Sequence, residues 1–368
     1  MIWKPKEKEL TPEEAVAVAK KELTPFWFGS PPLLAGIEHE GRALIVPLTK
    51  EFTKKGWMIF FIDPTDFEGE NAIAYAKEWY RRYHLNNLGF ILVLVPSYDF
   101  LRQPAAIHKL IEKQQISFPV VLDAQGELAH AMNATHLPKI VLLDGGQVIQ
   151  AYECKEAFSD IENRLQKFLR TKDRGLPLLP LYTPKVVGIQ NVDRYEFGYM
   201  PRMGASTMAF PAPGFVAGED GIRRAKFVNK SSAEGDGDGT ENISNPEKFV
   251  ISGEWQQYPE GIVTSDPTSS IRLISPAQRV SLIAAPAAGK VGIDSPRISI
   301  DVGGMGVYDA ISGEDIKMED SGETQIRVVN AQFYHILVGL PKKQRSVGFK
   351  FPNANRSPVA LYGFRFGE

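Results

Sequence analysis

Residues 56–95 read GWMIFFIDPTDFEGENAIAYAKEWYRRYHLNNLGFILVLV, and their pattern decides the architecture of the first half of the chain. Trp57 to Ile62 and Phe90 to Val95 are uninterrupted apolar runs of strand length, the signature of strands buried on both faces. Both fall far short of the ~20 apolar residues that a membrane-crossing helix needs. Between them, a helix over Asn71–His84 would place Ile73, Ala76, Tyr80 and Tyr83 on one stripe and Lys77, Glu78, Arg81 and Arg82 elsewhere. Two such strands joined through a helix pair in parallel, so residues 56–95 form a β-α-β unit inside a sheet covered by helices.

Working outward, the same logic predicts a helix over Gln103–Gln114 and strands over Phe118–Asp123 (FPVVLD), Pro138–Asp144 (PKIVLLD) and Gln147–Glu153 (QVIQAYE), the last two joined by a Gly145-Gly146 turn. Ser159 with Glu162 three residues on reads as a capping box opening a final helix whose apolar face is Ile161, Leu165, Phe168 and Leu169. Thr11-Pro12-Glu13-Glu14 is a similar start signal for a helix running to about Leu23. The expected layout is an N-terminal helical extension (1–35), an α/β domain (36–174), a Pro-rich linker (175–185) and an all-β sandwich (186–368). The linker holds Pro177, Pro180 and Pro184, which cannot continue a helix and favour an extended, semi-rigid chain. Beyond it, runs such as KFVISG, RVSLIAA, RISIDV and VALYGFRFG are separated by Gly, Pro, Asn, Asp or Ser, a spacing that suits a sandwich. Residues 231–246, with EGDGDGTEN, read as the mobile loop of the molecule.

Composition narrows the chemistry. The chain has 368 residues, 43% hydrophobic and 23% charged, with a net charge of −2. Neither half is basic, which argues against nucleic-acid or anionic-membrane partners. A single cysteine, Cys154, removes intramolecular disulfides, thiolate zinc sites and paired-thiol chemistry. The six histidines show no HxH or HExxH spacing, and no P-loop, GxSxG or dinucleotide fingerprint is present. No cofactor is expected. The charged first residues lack a secretory apolar core, so the sequence as written is expected to be cytoplasmic, or periplasmic or secreted had a leader been removed.

FFIDPTDFEGENAIAYAKEWYRRYH followed by FILVLVPSYDF resembles the active-site strand, helix and next strand of the thioredoxin-like region of DipZ-type, TlpA-like thiol-disulfide exchange proteins. Trp79, Tyr83, Pro96 and Phe100 stand in recognisable places. SFPVVLDAQGELAHAMNATHLPKIVLLDGGQVIQAY resembles the same family from its third strand through the cis-proline, which would be Pro138. YEFGY (195–199), SIDVGG (299–304), NAQFYHILVG (330–339) and the terminal VALYGFRFGE resemble the carbohydrate-binding-module-like, jelly-roll sandwich that follows in those proteins. The resemblance therefore implies a thioredoxin-like α/β domain followed by an all-β sandwich, and it departs at the chemistry. The two cysteine positions hold Asp66 and Gly69, with Phe67 and Glu68 between. Exchange requires a thiolate and a resolving thiol, so the activity does not carry over.

What remains is a redox-inactive binding or scaffold protein. Its expected groove is Asp66, Phe67, Glu68, His136, Leu137 and Pro138, and its expected ligand an extended peptide or protein segment. Trp255 and Tyr258, with Tyr308 and Tyr334, are the sandwich aromatics that could stack on a carbohydrate, although aromatics in a sandwich more often form its core. Self-association into a homo-oligomer through the sandwich is a third reading. The competing enzyme reading makes Cys154 a single reactive thiol, or uses carboxylates of the altered loop. The acidic run Asp63, Asp66, Glu68 and Glu70 reads first as a complement to the helix dipole and second as a divalent-cation site.

Overall fold

In a computed structural model the chain falls into two compact units, residues 1–189 and 190–368. The structure describes residues 56–102, 104–144, 147–153, 157–183, 191–197, 249–287, 295–320 and 322–367, together with short strand segments at 38–39, 42–43, 208–209, 216–217 and 223–227. The Thr11–Leu23 helix, the Gly145-Gly146 turn, Cys154 and the 231–246 loop lie outside the described residues.

The first unit is thioredoxin-like. Its elements are β1 (Gly56–Ile62), α1 (Phe67–Tyr83), β2 (Leu88–Leu94), α2 (Pro104–Gln114), β3 (Val120–Leu122), α3 (Glu127–Ala131), β4 (Lys139–Asp144), β5 (Gln147–Glu153) and α4 (Phe158–Lys172). The five strands form one mixed sheet in the order β3-β2-β1-β4-β5. β1, β2 and β3 run parallel, and the β4-β5 hairpin closes the sheet antiparallel to β1. Alternate residues of β1 serve opposite layers. Met58, Phe60 and Ile62 pack with α1 and α4, whereas Trp57, Ile59 and Phe61 pack with Leu128, Ala129 and Met132 around α3. Every residue of β1 and β2 is buried, which is why both runs are apolar throughout.

Helix α1 begins at Phe67, four residues before the periodicity starts, and buries Ala72, Ile73, Ala76, Trp79 and Tyr83. Tyr80, expected on that stripe, is half-buried and packs at its border. The expected capping box of α4 does not form. The N-cap is Ala157, with no side-chain cap bond, and Ser159 falls inside the first turn. Glu162 turns inward instead, where its carboxylate is taken by Tyr83, Arg82 and the backbone of Tyr182. The expected linker is no free spacer either: Leu176 and Tyr182 pack on the core of this unit.

The second unit is a β-sandwich whose ladders are antiparallel except for a two-residue pairing of Tyr195-Glu196 with Met208-Ala209. Its principal strands are β6 (Asn191–Glu196), β7 (Phe249–Gln257), β8 (Ile262–Thr264), β9 (Ser270–Ser275), β10 (Arg279–Pro286), β11 (Arg297–Val302), β12 (Thr324–Arg327), β13 (Gln332–Leu337), β14 (Arg345–Lys350) and β15 (Val359–Gly367). The chain of neighbours β12-β11-β14-β9-β7-β8-β15-β10-β13 turns from one layer to the other at β7. Residues 249–252 of that strand pair with β9 and residues 256–257 with β8. Gly253, at φ 87°, makes the corner, and a Cβ there would lie 2.3 Å from Ser269 Oγ. Phe349 and Phe364, from opposite layers, meet at 4.9 Å in the shared core. Among the described residues, no helix is long and apolar enough to cross a membrane.

Candidate functional site

The site that the sequence points to is the turn leaving β1 and the loop entering β4. Asp63-Pro64-Thr65 follows β1, and the Asp side chain folds back on its own turn, as Asx residues do. Asp63 Oδ1 accepts the Thr65 amide at 2.8 Å and the Thr65 hydroxyl at 2.6 Å, while Oδ2 accepts the Ser97 hydroxyl. Ser97 follows β2, whose end is tied to β1 by Val95 N–H donating to Ile62 C=O at 2.9 Å. Asp63 is 4% exposed. Burial first, and then the charge of Asp66, raise its carboxyl pKa above the ordinary 3.8 against the bonds from Ser97 and Thr65. The folded state therefore binds a proton more readily here than the unfolded chain, so stability falls as pH rises from about 4 through the raised pKa and then levels. We expect the stability–pH curve of Asp63→Asn to lack this descending limb; an identical limb in wild type and variant, from urea unfolding at each pH, would assign it elsewhere.

Asp66 occupies the N-cap of α1 in extended geometry, and its side chain makes no cap bond. Its backbone C=O accepts Glu70 N–H at 3.0 Å. The expected role of the acidic run thus divides: Glu68 and Glu70 lie in the first turn, where they complement the helix dipole, and Asp63 serves the turn beneath. Gly69 has no room for any side chain, because a Cβ would sit 2.0 Å from the Asp63 carbonyl oxygen. Of the expected groove residues, Asp66 is 8% and Phe67 1% exposed, and Glu68 is half-buried. Phe67 is a core side chain that offers no surface to a ligand.

The second wall follows α3. Ala134 N–H bonds Ala129 C=O at 2.7 Å, Asn133 takes a left-handed φ of 51°, and the Leu137–Pro138 peptide is cis. Pro138 is buried, Leu137 half-buried and His136 exposed. Lys139, beside the proline, is 7% exposed and donates to Asn133 C=O at 2.7 Å. Burial lowers its ammonium pKa, partly offset by Glu153. The ladder between the strands ends at Phe61↔Lys139, two residues before Asp63 and two after Leu137. Among the described residues, the backbone groups of His136 and Leu137 have no hydrogen-bond partner. No three His, Cys, Asp or Glu residues among those described are placed to hold a metal ion, and the cation reading of the acidic run gains no support.

No family model and no curated protein matches the chain. Solved structures do. One is a thioredoxin-like protein in its oxidised form, 19% identical over 32% of this chain and 80% of that one, with a TM-score of 0.30. Another is StoA from Bacillus subtilis, 14% identical over 30% and 81% of the two chains, TM-score 0.26. A third is the thioredoxin domain of a thiol-disulfide oxidoreductase from Bacteroides vulgatus, 19% identical over 38% and 98%, TM-score 0.29. The strand order and connections above, rather than these scores, make the first unit thioredoxin-like.

In the second unit the expected aromatic platform does not assemble. Trp255 is 2% exposed, donates its indole N–H to Ser252 C=O at 2.8 Å and meets Phe351 edge-on at 5.3 Å. Tyr334 is equally interior, with its hydroxyl donating to Asn330 C=O at 2.6 Å. Both rings belong to the sandwich core. Tyr258 is half-buried, its hydroxyl on Gln256 Oε1 at 2.9 Å, and Tyr308 alone of the four is open, at 55%. Two residues that shape the first-unit site, Ser97 and Lys139, were not singled out from sequence. The Asp-Pro-Thr turn was the one local signal available.

Proposed function

We propose that the first unit binds an extended peptide segment without thiol-disulfide exchange. The observation that carries this reading is the unpartnered backbone of His136 and Leu137 beside the Asp63–Asp66 turn: a short open edge, continuous with β4, to which an extended chain can add as a strand. The same place supplies no thiol, since position 66 holds a carboxylate and position 69 a glycine with no room for a side chain. Main-chain pairing supplies affinity with little regard to sequence, and the half-buried Leu137 and Glu68 flank the added strand.

The test uses a reduced, carboxymethylated unfolded protein as the extended probe, titrated into the isotope-labelled full chain. Amide shifts concentrated at residues 135–137 and 66–68, with no turnover in insulin reduction, are the expected result. Turnover, or shifts that avoid the 135–137 loop, would overturn the proposal.

A further inference from the structure

The second unit carries a file of polar side chains across one of its sheets. Arg365 of β15 stands opposite Ser281 of β10, and Ser281 stands opposite His335 of β13. Directly opposed residues share a face. It is the face turned away from the core, because Val280, Leu282, Tyr334 and Phe364, one residue to either side, belong to the core. Arg365 is buried and neutralised by Glu196 at 2.8 Å. Ser281 Oγ and His335 Nδ1 share a hydrogen bond at 3.0 Å. Ser281 is 1% exposed, and so deep a hydroxyl offers no approach to a substrate, which sets aside a serine–histidine hydrolase.

The chain of neighbours ends at β13, and the turn of residues 311–316 closes that last edge. Gly313 N–H donates to Ile336 C=O at 2.8 Å, Asp315 N–H to His335 C=O at 3.3 Å, and Val338 N–H to Ile311 C=O at 3.0 Å. Position 313 requires glycine, since a Cβ there would lie 2.2 Å from the His335 carbonyl oxygen. Both acids of the turn go to the same histidine. Asp315 Oδ2 accepts the His335 amide at 2.7 Å, and Glu314 Oε1 lies 3.9 Å from His335 Nε2.

We propose that His335 is a pH-sensitive latch: its protonated ring draws the 311–316 turn onto the edge of β13, and its neutral ring lets that edge open. An imidazole titrates at about pH 6.5, where carboxylates are already ionised. Among the described residues, the charges near the ring are Glu314 and Asp315 from the turn, Arg279 from β10 and Arg365 from β15. Both arginines stand off from it. Arg365 lies a further strand away, roughly 10 Å at the usual strand spacing, and is paired with Glu196, while Arg279 is two residues along β10 from Ser281. The turn therefore binds the charged ring better than the neutral one. Closure is strongest below the pKa of the ring in the open turn and weakens as pH rises through its pKa in the closed one. An opened β13 presents unpaired backbone groups to which another strand can add.

The experiment measures amide hydrogen exchange of the full chain, corrected for its intrinsic pH dependence, beside a magnetic-resonance titration of the His335 ring. Between about pH 5.5 and 7.5, protection of the Gly313, Asp315 and Val338 amides should fall roughly fivefold, the effect of a partly exposed ion pair, and should follow the ring titration. Glu314 is 59% exposed, so Glu314→Gln should fold normally and lose most of that change. His335→Gln should show the lower protection at both pH values. Protection that ignores pH in the wild type, or an undiminished change in Glu314→Gln, overturns the proposal. An equal fall at the amides of Leu282 and Phe364, deep in the sheet, would make the effect global and overturn it as well.

Discussion

Gly69→Ala should lower the unfolding free energy by about 3 kcal/mol or more, at the upper end of what an added methyl costs in a packed site. On helix propensity alone the change would stabilise, because alanine is favoured over glycine by roughly 1 kcal/mol inside a helix. Packing decides the sign. The added Cβ would lie 2.0 Å from the Asp63 carbonyl oxygen and 3.1 Å from its carbon, both backbone atoms. That carbonyl cannot swing aside, because Asp63 is held through its side chain by Thr65 and Ser97, and the residue before it is bonded to Val95. Relief requires α1 to lift from the end of β1, which opens the buried contacts of Ala72, Ile73 and Ala76. Urea unfolding followed by near-ultraviolet circular dichroism reads the cost, and a loss under 0.5 kcal/mol would contradict the close approach. The same geometry bears on chemistry. Asp66→Cys/Gly69→Cys rebuilds the spacing of a dithiol motif in the sequence, yet the second thiol has no room, so the variant should be less stable than Asp66→Cys and inactive in insulin reduction. Gly69 is thus a structural joint between α1 and the end of β1.

Much of the first unit was legible because its strands are buried on both faces. GWMIFFI and FILVLV could be nothing but interior strands, and the helix between them showed a clean stripe. Local capping chemistry was read less well, for one reason: a carboxylate near a helix start can be claimed by distant residues. Glu162 looks like a capping partner of Ser159 in sequence, but Tyr83 and Arg82, about 80 positions earlier, take it inward. The acidic run before α1 hides the same ambiguity, since Asp63 serves its turn and Ser97 while Asp66 makes no cap. In the sandwich, aromatic residues carry no sign of which layer face they occupy when strands are short. Trp255 alternates with the exposed Glu254 and half-buried Gln256, so its strand could have presented either face. The attachment of the Pro-rich segment depended on Glu162, Gln166 and Arg82, which lie outside its own run of sequence.

That attachment yields the second large effect. Glu162 is fully buried, accepting the Tyr83 hydroxyl at 2.7 Å, the Tyr182 amide at 2.6 Å and the Arg82 guanidinium at 3.2 Å. Removing the carboxylate strands three donors at once, one of them charged. Breaking a buried pair from one side typically costs ~3 to 5 kcal/mol. Arg82 keeps Glu78 at 2.6 Å and is 17% exposed, so it stays partly satisfied, and Glu162→Ala should cost about 3 kcal/mol, near the lower bound. Tyr83→Phe removes one neutral donor and should cost only about 1 kcal/mol. A spectroscopic signature separates loss of the carboxylate from general loosening. Burial first, then the hydrogen bond and charge of Glu162, push the Tyr83 phenol up to about 12. In Glu162→Gln, which keeps the volume and an acceptor oxygen, the charge vanishes while burial persists, so the phenol should ionise at lower pH in an ultraviolet titration of the folded protein. The strap should loosen in step: with the Tyr182 anchor gone, cleavage between residues 176 and 182 by a protease that accepts leucine should accelerate at temperatures where the sheet remains folded. If Glu162→Ala unfolds at the wild-type urea concentration and its strap is cut no faster, the carboxylate is not what holds the Pro-rich segment to the helices.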